Sequence, residues 1–222
     1  MSYITFQPND YFNNLLYTGN DTDGRAITGV GFQPDWVWLK LRSTTGNHGL
    51  YDAVRGATKR LQSNQTNAED TITSFSSFDS DGFTLSEASQ NNNGETFASW
   101  NWLAGGSGSS NSDGSITSTV SANTTAGFSI VTYTGNGSQG ATIGHGLGVV
   151  PNVVLVKGRN IGDSWTMLHT GIASDFQTDM IKLDENGAAQ DNSVFWNDTA
   201  PTSSVFTVDG AGGETKVNAN GY

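Results

Sequence analysis

The tetrapeptide YTGN occurs twice, at Tyr17–Asn20 and Tyr133–Asn136, and its two copies are 116 residues apart. Read onward from each copy, YTGNDTDGRAIT (17–28) faces YTGNGSQGATIG (133–144), and Ile27 matches Ile143 at the same offset. GVGFQPDWVWLKLRS (29–43) then faces HGLGVVPNVVLVKGRN (145–160), where one extra residue raises the offset to 117. Gly31 meets Gly148, Pro34 meets Pro151, Lys40 meets Lys157 and Arg42 meets Arg159. Matches in this order, with one insertion, mark an internal duplication. Further on, Phe83-Thr84-Leu85 resembles Phe206-Thr207-Val208, and Asn93-Gly94 resembles Asn220-Gly221. After Gly94 the first copy runs on as ETFASWNWL (95–103), whereas only Tyr222 follows Gly221. The second unit therefore reads as one strand short. Two sources for that strand are open: a longer protein of which this is a fragment, or another subunit.

Within each unit the hydrophobic period is two, the period of strands. In FASWNWL (97–103), Ala98, Trp100 and Trp102 share one face, which reads as the inward one, with Ser99 and Asn101 outward. In DWVWLKLR (35–42), Trp36 and Trp38 share one face and Val37, Leu39 and Leu41 the other, so both faces are apolar and the strand is central. NVVLVKGR (152–159) repeats it with Val153 and Leu155 in place of the tryptophans, and GFSIVTYTG (127–135) adds another strand. Asp-Gly and Asn-Gly pairs such as Asp81-Gly82 and Asn186-Gly187 supply hairpin turns. One helical segment suggests itself, 52–62, and Gly56 weakens it. The fold class is all-β: two related antiparallel β-sandwich lobes, jelly-roll-like, spanning 1–103 and 127–222. Residues 104–126 are rich in Gly, Ser, Thr and Asn and read as a flexible linker, with room for a short strand around Ile116–Val120.

Composition narrows the function. The net charge is −11 with only ten Lys and Arg, so a phosphate-tracking surface, whether for nucleic acid or for an anionic membrane, is not expected. No window approaches the ~18 apolar residues that a membrane-spanning helix needs, so no membrane insertion is expected. MSYITFQPNDYF has no basic start and no continuous apolar stretch and does not read as a signal peptide. There is no cysteine, hence no disulfide and no thiolate metal site.

Motifs for chemistry are sparse. The three histidines lack metal-ligand spacing and read as surface or half-buried groups. Asp21-Thr-Asp23-Gly24 and Asp79-Ser-Asp81-Gly82 resemble calcium loops but lack the further ligands at the required spacings, and they read as turns. No catalytic residue, metal site or cofactor is assigned. Aromatic side chains are the remaining candidates, because sugars stack on exposed Trp or Tyr. Trp36, Trp38, Trp100 and Trp102 read first as core. Trp165 and Trp196, near turns, are the better candidates for glycan or partner contact, with Trp36 and Trp38 behind them. Lys40, Lys157, Arg42 and Arg159 read as strand-end charges with acidic neighbours such as Asp35 or Asp52.

Taken together, YTGN…GRAITGVGFQPDWVWLKLRS…LYDAVRGATKRLQSN…SFDSDGFTL…NGETFASWNW, followed by the second unit, resembles a domain of unknown function from structural proteins of tailed, often marine, phages. The resemblance covers nearly the whole chain. It implies a non-enzymatic virion protein that is assembled in the host cytoplasm: a tail-fibre, head-fibre or capsid decoration component. It also implies a homo-oligomer, expected as a trimer, that docks to other virion proteins of capsid, portal or tail. Family members continue past the NANGY position with a further strand. Tyr3, Ile4, Phe6, Tyr11 and Phe12 are the candidate docking segment, through addition of an edge strand. A host surface glycan is the alternative partner, and a depolymerase is disfavoured because no carboxylate set stands out.

Overall fold

The computed structural model describes residues 7–86, 88–210 and 217–222. Tyr3, Ile4 and Phe6 of the candidate docking segment lie outside them. The N-terminal half carries β1 (Phe12–Thr18), β2 (Arg25–Thr28), β3 (Trp36–Leu41), β4 (Gly49–Asp52), β5 (Lys59–Arg60), β6 (Asp70–Thr71), β7 (Phe75–Asp79), β8 (Gly82–Leu85) and β9 (Thr96–Trp102). A four-stranded antiparallel sheet runs β1-β9-β3-β4 and a three-stranded one β2-β8-β7. Their facing sides supply one buried cluster, in which Val37, Leu39 and Tyr51 meet Ile27, Phe75 and Phe83. Tyr51 and Phe75 stack at 4.4 Å.

The C-terminal half carries β10 (Ser109–Asn111), β11 (Ser118–Asn123), β12 (Phe128–Thr132), β13 (Ala141–Gly144), β14 (Val153–Val156), β15 (Thr166–His169), β16 (Asp179–Lys182), β17 (Gln190–Asp191) and β18 (Val205–Val208). Its sheets are β10-β11-β12, β13-β18 and β14-β15-β16-β17. Ile143, Val154, Leu168, Trp196 and Phe206 form its core. The protein is thus all-β, built from several antiparallel sheets. The one α-helix among the described residues, α1 (Ser193–Trp196), is a single turn capped by Asn192 Oδ1, which accepts from Val194 N–H at 3.2 Å.

Two expectations are corrected here. Residues 52–62 form no helix. Their backbone is claimed by sheet pairing, since Leu50 and Leu61 exchange N–H···O bonds of 2.8 and 3.1 Å. Residues 104–126 are not a flexible connection. They carry β10 and β11, bury Ala104, Ile116 and Val120, and join the C-terminal core through a parallel bridge from Ile116 to Ile143. Their start is fixed by the buried Asp35 carboxylate, whose Oδ2 accepts from Ala104 N–H (2.8 Å) and Gly106 N–H (3.1 Å).

Each YTGN copy is the same kind of clasp. Tyr17 Oη donates to Gln90 O at 2.9 Å, and Tyr133 Oη to Val217 O at 2.6 Å. Asn20 N–H donates to Asn91 Oδ1 (3.2 Å) and Asn136 N–H to Asn218 Oδ1 (3.0 Å). The two buried amides answer alike: Asn91 Nδ2 donates to Asn20 Oδ1 and Thr22 O, Asn218 Nδ2 to Asn136 Oδ1 and Ser138 O. The glycine is required for space. A Cβ at Gly19 would stand 2.0 Å from Asn92 O, and one at Gly135 2.4 Å from Ala219 O.

Candidate functional site

The outer face of the β1-β9-β3-β4 sheet carries aromatic rings instead of the polar residues usual on a solvated face. On β9 the inward residues are Phe97, Ser99 and Asn101, all buried, which reverses the reading of FASWNWL. The Asn101 amide nitrogen is satisfied inside, donating to Ser99 Oγ and Asn13 O at 3.0 Å each, while its Oδ1 is buried without a partner. Trp100 and Trp102 are consequently placed outward and half-buried, beside Trp36 and Trp38 of β3. Trp36 stacks on Trp102 at 5.0 Å and on Phe128 of β12 at 5.3 Å with a 9° interplanar angle. Trp38 meets Trp100 edge-on at 6.2 Å. Phe12 of the candidate docking segment lies on β1, the edge strand of this sheet, and its ring meets Trp102 of β9 at 4.8 Å; Tyr11 beside it is half-buried.

Beyond Trp38 the surface opens into a shallow polar depression of about 460 Å³, lined by Lys40, Thr45, Gly46, Asn47, His48 and Asn64. Trp38 Nε1–H donates to His48 Nδ1 at 2.8 Å, so the neutral ring carries its proton on Nε2. Burial, and secondarily the Lys40 ammonium, hold His48 below its usual value. Lys40 itself is tied to Gly46 O at 2.9 Å, and Asn64 to Asn47 Oδ1 at 3.0 Å. The depression therefore offers amide, hydroxyl and imidazole groups beside an indole face. That set can hold hydroxyl-rich or peptide ligands, and it contains no nucleophile–base pair. Among the described residues no group of three His, Asp or Glu is placed to hold a metal. In the calcium-like turns Asp81 accepts from Gly29 N–H (3.0 Å) and Gly31 N–H (2.7 Å), Asp21 from Asn93 N–H (3.1 Å), and Asp79 from the Ser77 (2.8 Å) and Thr84 (2.6 Å) hydroxyls.

The two foremost sequence candidates are elsewhere. Trp196 is 0% exposed in the C-terminal core, its Nε1–H bonded to Asp179 O, and Trp165 is 5% exposed. Neither indole is available for stacking a ligand. Trp165 instead joins the halves: it packs with Leu50 and Leu61, and its Nε1–H donates to Gln62 O at 2.8 Å. Beside it lies a network that pattern reading missed. Arg55 binds Asp52 and, at 3.0 Å, Glu69, and Glu69 also takes both Nε and Nη2 of Arg159 at 2.9 Å. Burial pushes the Glu69 carboxyl up, but its bonds to Arg159 and Arg55 outweigh that and hold it below its ordinary value. Arg159 thus pairs with Glu69, not with Asp35 or Asp52, while Lys157 donates to Gly158 O and Ile161 O.

Three exposed valines lie close together in the chain among the described residues. Val149, Val150 and Val153 are 56%, 51% and 46% exposed at the entry to β14. Val153 is the sequence counterpart of Trp36, which in the first half is covered by Phe128.

A family model described as Domain of unknown function (DUF7483) matches residues 7–222. No curated protein and no solved structure matches the chain.

Proposed function

The chain belongs to the DUF7483 family, and from that footing we propose that it is a non-enzymatic structural protein of a tailed-phage virion. In this reading it is a tail- or head-fibre component that oligomerises, as a trimer, and docks to another virion protein; capsid decoration is the same role at a different seat. The observation that carries the docking is the valine cluster at β14. The matching position in the first half, Trp36, is half-buried and stacked on Phe128 at the start of the second half, so Val149, Val150 and Val153 stand where a further protein would fit. Exposed apolar clusters of this kind mark contact surfaces. We read the two halves as copies of one jelly-roll-like unit, and the matched clasps at Tyr17–Asn20 and Tyr133–Asn136 support that. The test is a Val150→Asp, Val153→Asp double variant, followed by light scattering and by incorporation into particles. The variant is expected to remain folded, to lose self-association and to be left out of particles. A parent chain that is monomeric at micromolar concentration, together with normal incorporation of the variant, refutes the reading.

A glycan-binding role in host attachment has its own support in the polar depression beside Trp38. It requires binding on a glycan array that Asn47→Ala weakens without loss of fold; an array with no hits removes it.

A further inference from the structure

Asn-Gly pairs occur at Asn93-Gly94, Asn136-Gly137, Asn186-Gly187 and Asn220-Gly221. Such a pair is a turn signal and also a chemically labile bond. Glycine has no Cβ, so the main-chain nitrogen behind the asparagine can swing toward the side-chain amide carbon. All four asparagines are exposed, so access to water does not rank them. The hydrogen bonding of the glycine N–H does.

In three of the pairs that N–H is engaged. Gly94 donates to Gly19 O (3.0 Å), Gly137 to Asn218 O (2.8 Å) and Gly221 to Gly135 O (2.9 Å). Gly19, Gly135 and Asn218 are members of the two YTGN clasps, so all three bonds belong to those clasps. At Asn136 the carboxamide is fixed as well, since its Oδ1 accepts from Ser138 N–H (2.9 Å) and Asn218 Nδ2 (3.3 Å). A nitrogen held this way attacks only after the clasp has opened. Gly187 differs. Among the described residues its N–H has no hydrogen-bond partner, and a Cβ built on it would meet nothing within 4 Å. The pair lies in the connection from β16 to β17, where every residue from Glu185 to Gln190 is exposed.

We infer that Asn186 is a site of spontaneous covalent modification: the folded protein deamidates there, and the clasps protect the other three pairs. The Gly187 nitrogen gives up its proton and bonds to Asn186 Cγ. The Cγ–Nδ2 bond breaks, ammonia leaves and a cyclic imide remains. Water then opens the ring. Opening at Cγ leaves an aspartate, and opening at the main-chain carbonyl leaves an isoaspartate, whose chain runs through the former side chain. Water is consumed, ammonia is released and no other reactant is needed. The new carboxylate stands beside Glu185, which already takes bonds from Lys182 Nζ (2.9 Å) and Ser164 Oγ (3.2 Å), and it adds one negative charge to a chain at −11. The main-chain atom that isoaspartate inserts falls in an exposed loop, so the core is untouched. In a clasp the same insertion would displace the bonds that hold it.

The test incubates the folded chain in mildly alkaline buffer and follows each site by mass spectrometry of chymotryptic peptides. Isoaspartate is scored separately by enzymatic methyl transfer to its free carboxylate. Asn186 is expected to react at least about tenfold faster than Asn93, Asn136 or Asn220, because those wait for local opening. In concentrated urea the four sites are expected to react at similar rates. The Asn186→Gln variant is expected to lose the isoaspartate signal of the folded chain, and the aged parent to keep its thermal midpoint. A clasp asparagine that reacts as fast as Asn186 in the folded chain overturns the inference, and so does a folded chain in which Asn186 is stable. A preference for Asn186 that persists in urea also overturns it, since neighbouring residues and not the clasps would then set the rates. None of these readouts involves particle assembly, so the virion reading can fail while this one stands.

Discussion

Asn91 and Asn218 are 0% and 1% exposed and make matching bonds, so truncating each to alanine measures how far the two clasps are equivalent. Asn218 exchanges two bonds with Asn136 (3.0 and 3.3 Å) and donates one to Ser138 O (2.7 Å). At about 1 kcal/mol net per bond, Asn218→Ala removes about 3 kcal/mol. Asn136 and Ser138 are exposed, so water recovers part of that, and about 2 kcal/mol is expected. Asn91 makes the same three bonds and also accepts from Arg25 Nη1 at 2.8 Å, so Asn91→Ala is expected to cost about 3 kcal/mol. Aspartate separates the two sites further. Asn91→Asp keeps its acceptors and gains the Arg25 charge. Asn218→Asp meets Ala141 at the position matching Arg25 and gains nothing, so at neutral pH it is the more damaging. Urea unfolding followed by tryptophan fluorescence, with the slope unchanged, reads these as midpoint shifts. Costs below about 0.5 kcal/mol for both alanine variants, or Asn91→Asp the worse of the aspartates, refute the argument.

Other outcomes follow from the seam between the halves. Trp165→Ala vacates a buried indole packed on Leu50 and Leu61 and is expected to cost about 3–5 kcal/mol in the same melt, while Trp38→Ala on the half-exposed face costs less. Glu69→Gln leaves Arg55 its Asp52 partner, so the loss is expected near 2 kcal/mol, below the full penalty of an orphaned buried charge. Glu69 is held below its ordinary value of 4.5, so its contribution is fully present above that pH and is lost as pH falls through the lower folded value. The gap between parent and Glu69→Gln should therefore be constant at neutral pH and close in acid titration below about pH 4.5.

Strand positions were legible because period-two alternation and turn pairs are local signals. Side-chain direction in β9 was not, because Ser99 and Asn101 face inward and are hydrogen-bonded to one another there; alternation alone reads such residues as outward. Trp165 looked exposed beside its turn because its partner, Gln62 O, is 103 residues away. The 104–126 segment has a linker's composition, but its order comes from Asp35 and Ile143, which lie outside it. The Arg55–Glu69–Arg159 network carries no spacing signature, since Glu69 and Arg159 meet only through tertiary contact. The depression beside Trp38 is likewise assembled from two loops, with Asn64 closing it.

The arrangement of β1 and β9 has a mechanical consequence. The chain enters β1 at Phe12 and leaves β9 at Trp102, and these residues are opposite one another at the same end of the ladder. Tension between the ends of this half would peel that ladder open one rung at a time, from the Leu103 N–H to Tyr11 O bond inward, and not shear it as a block. The Asp35 carboxylate stands directly in the load path. Because it grips Ala104 and Gly106 just past β9, force arriving from the second half is passed to β3, at the centre of the sheet, before it reaches the first rung.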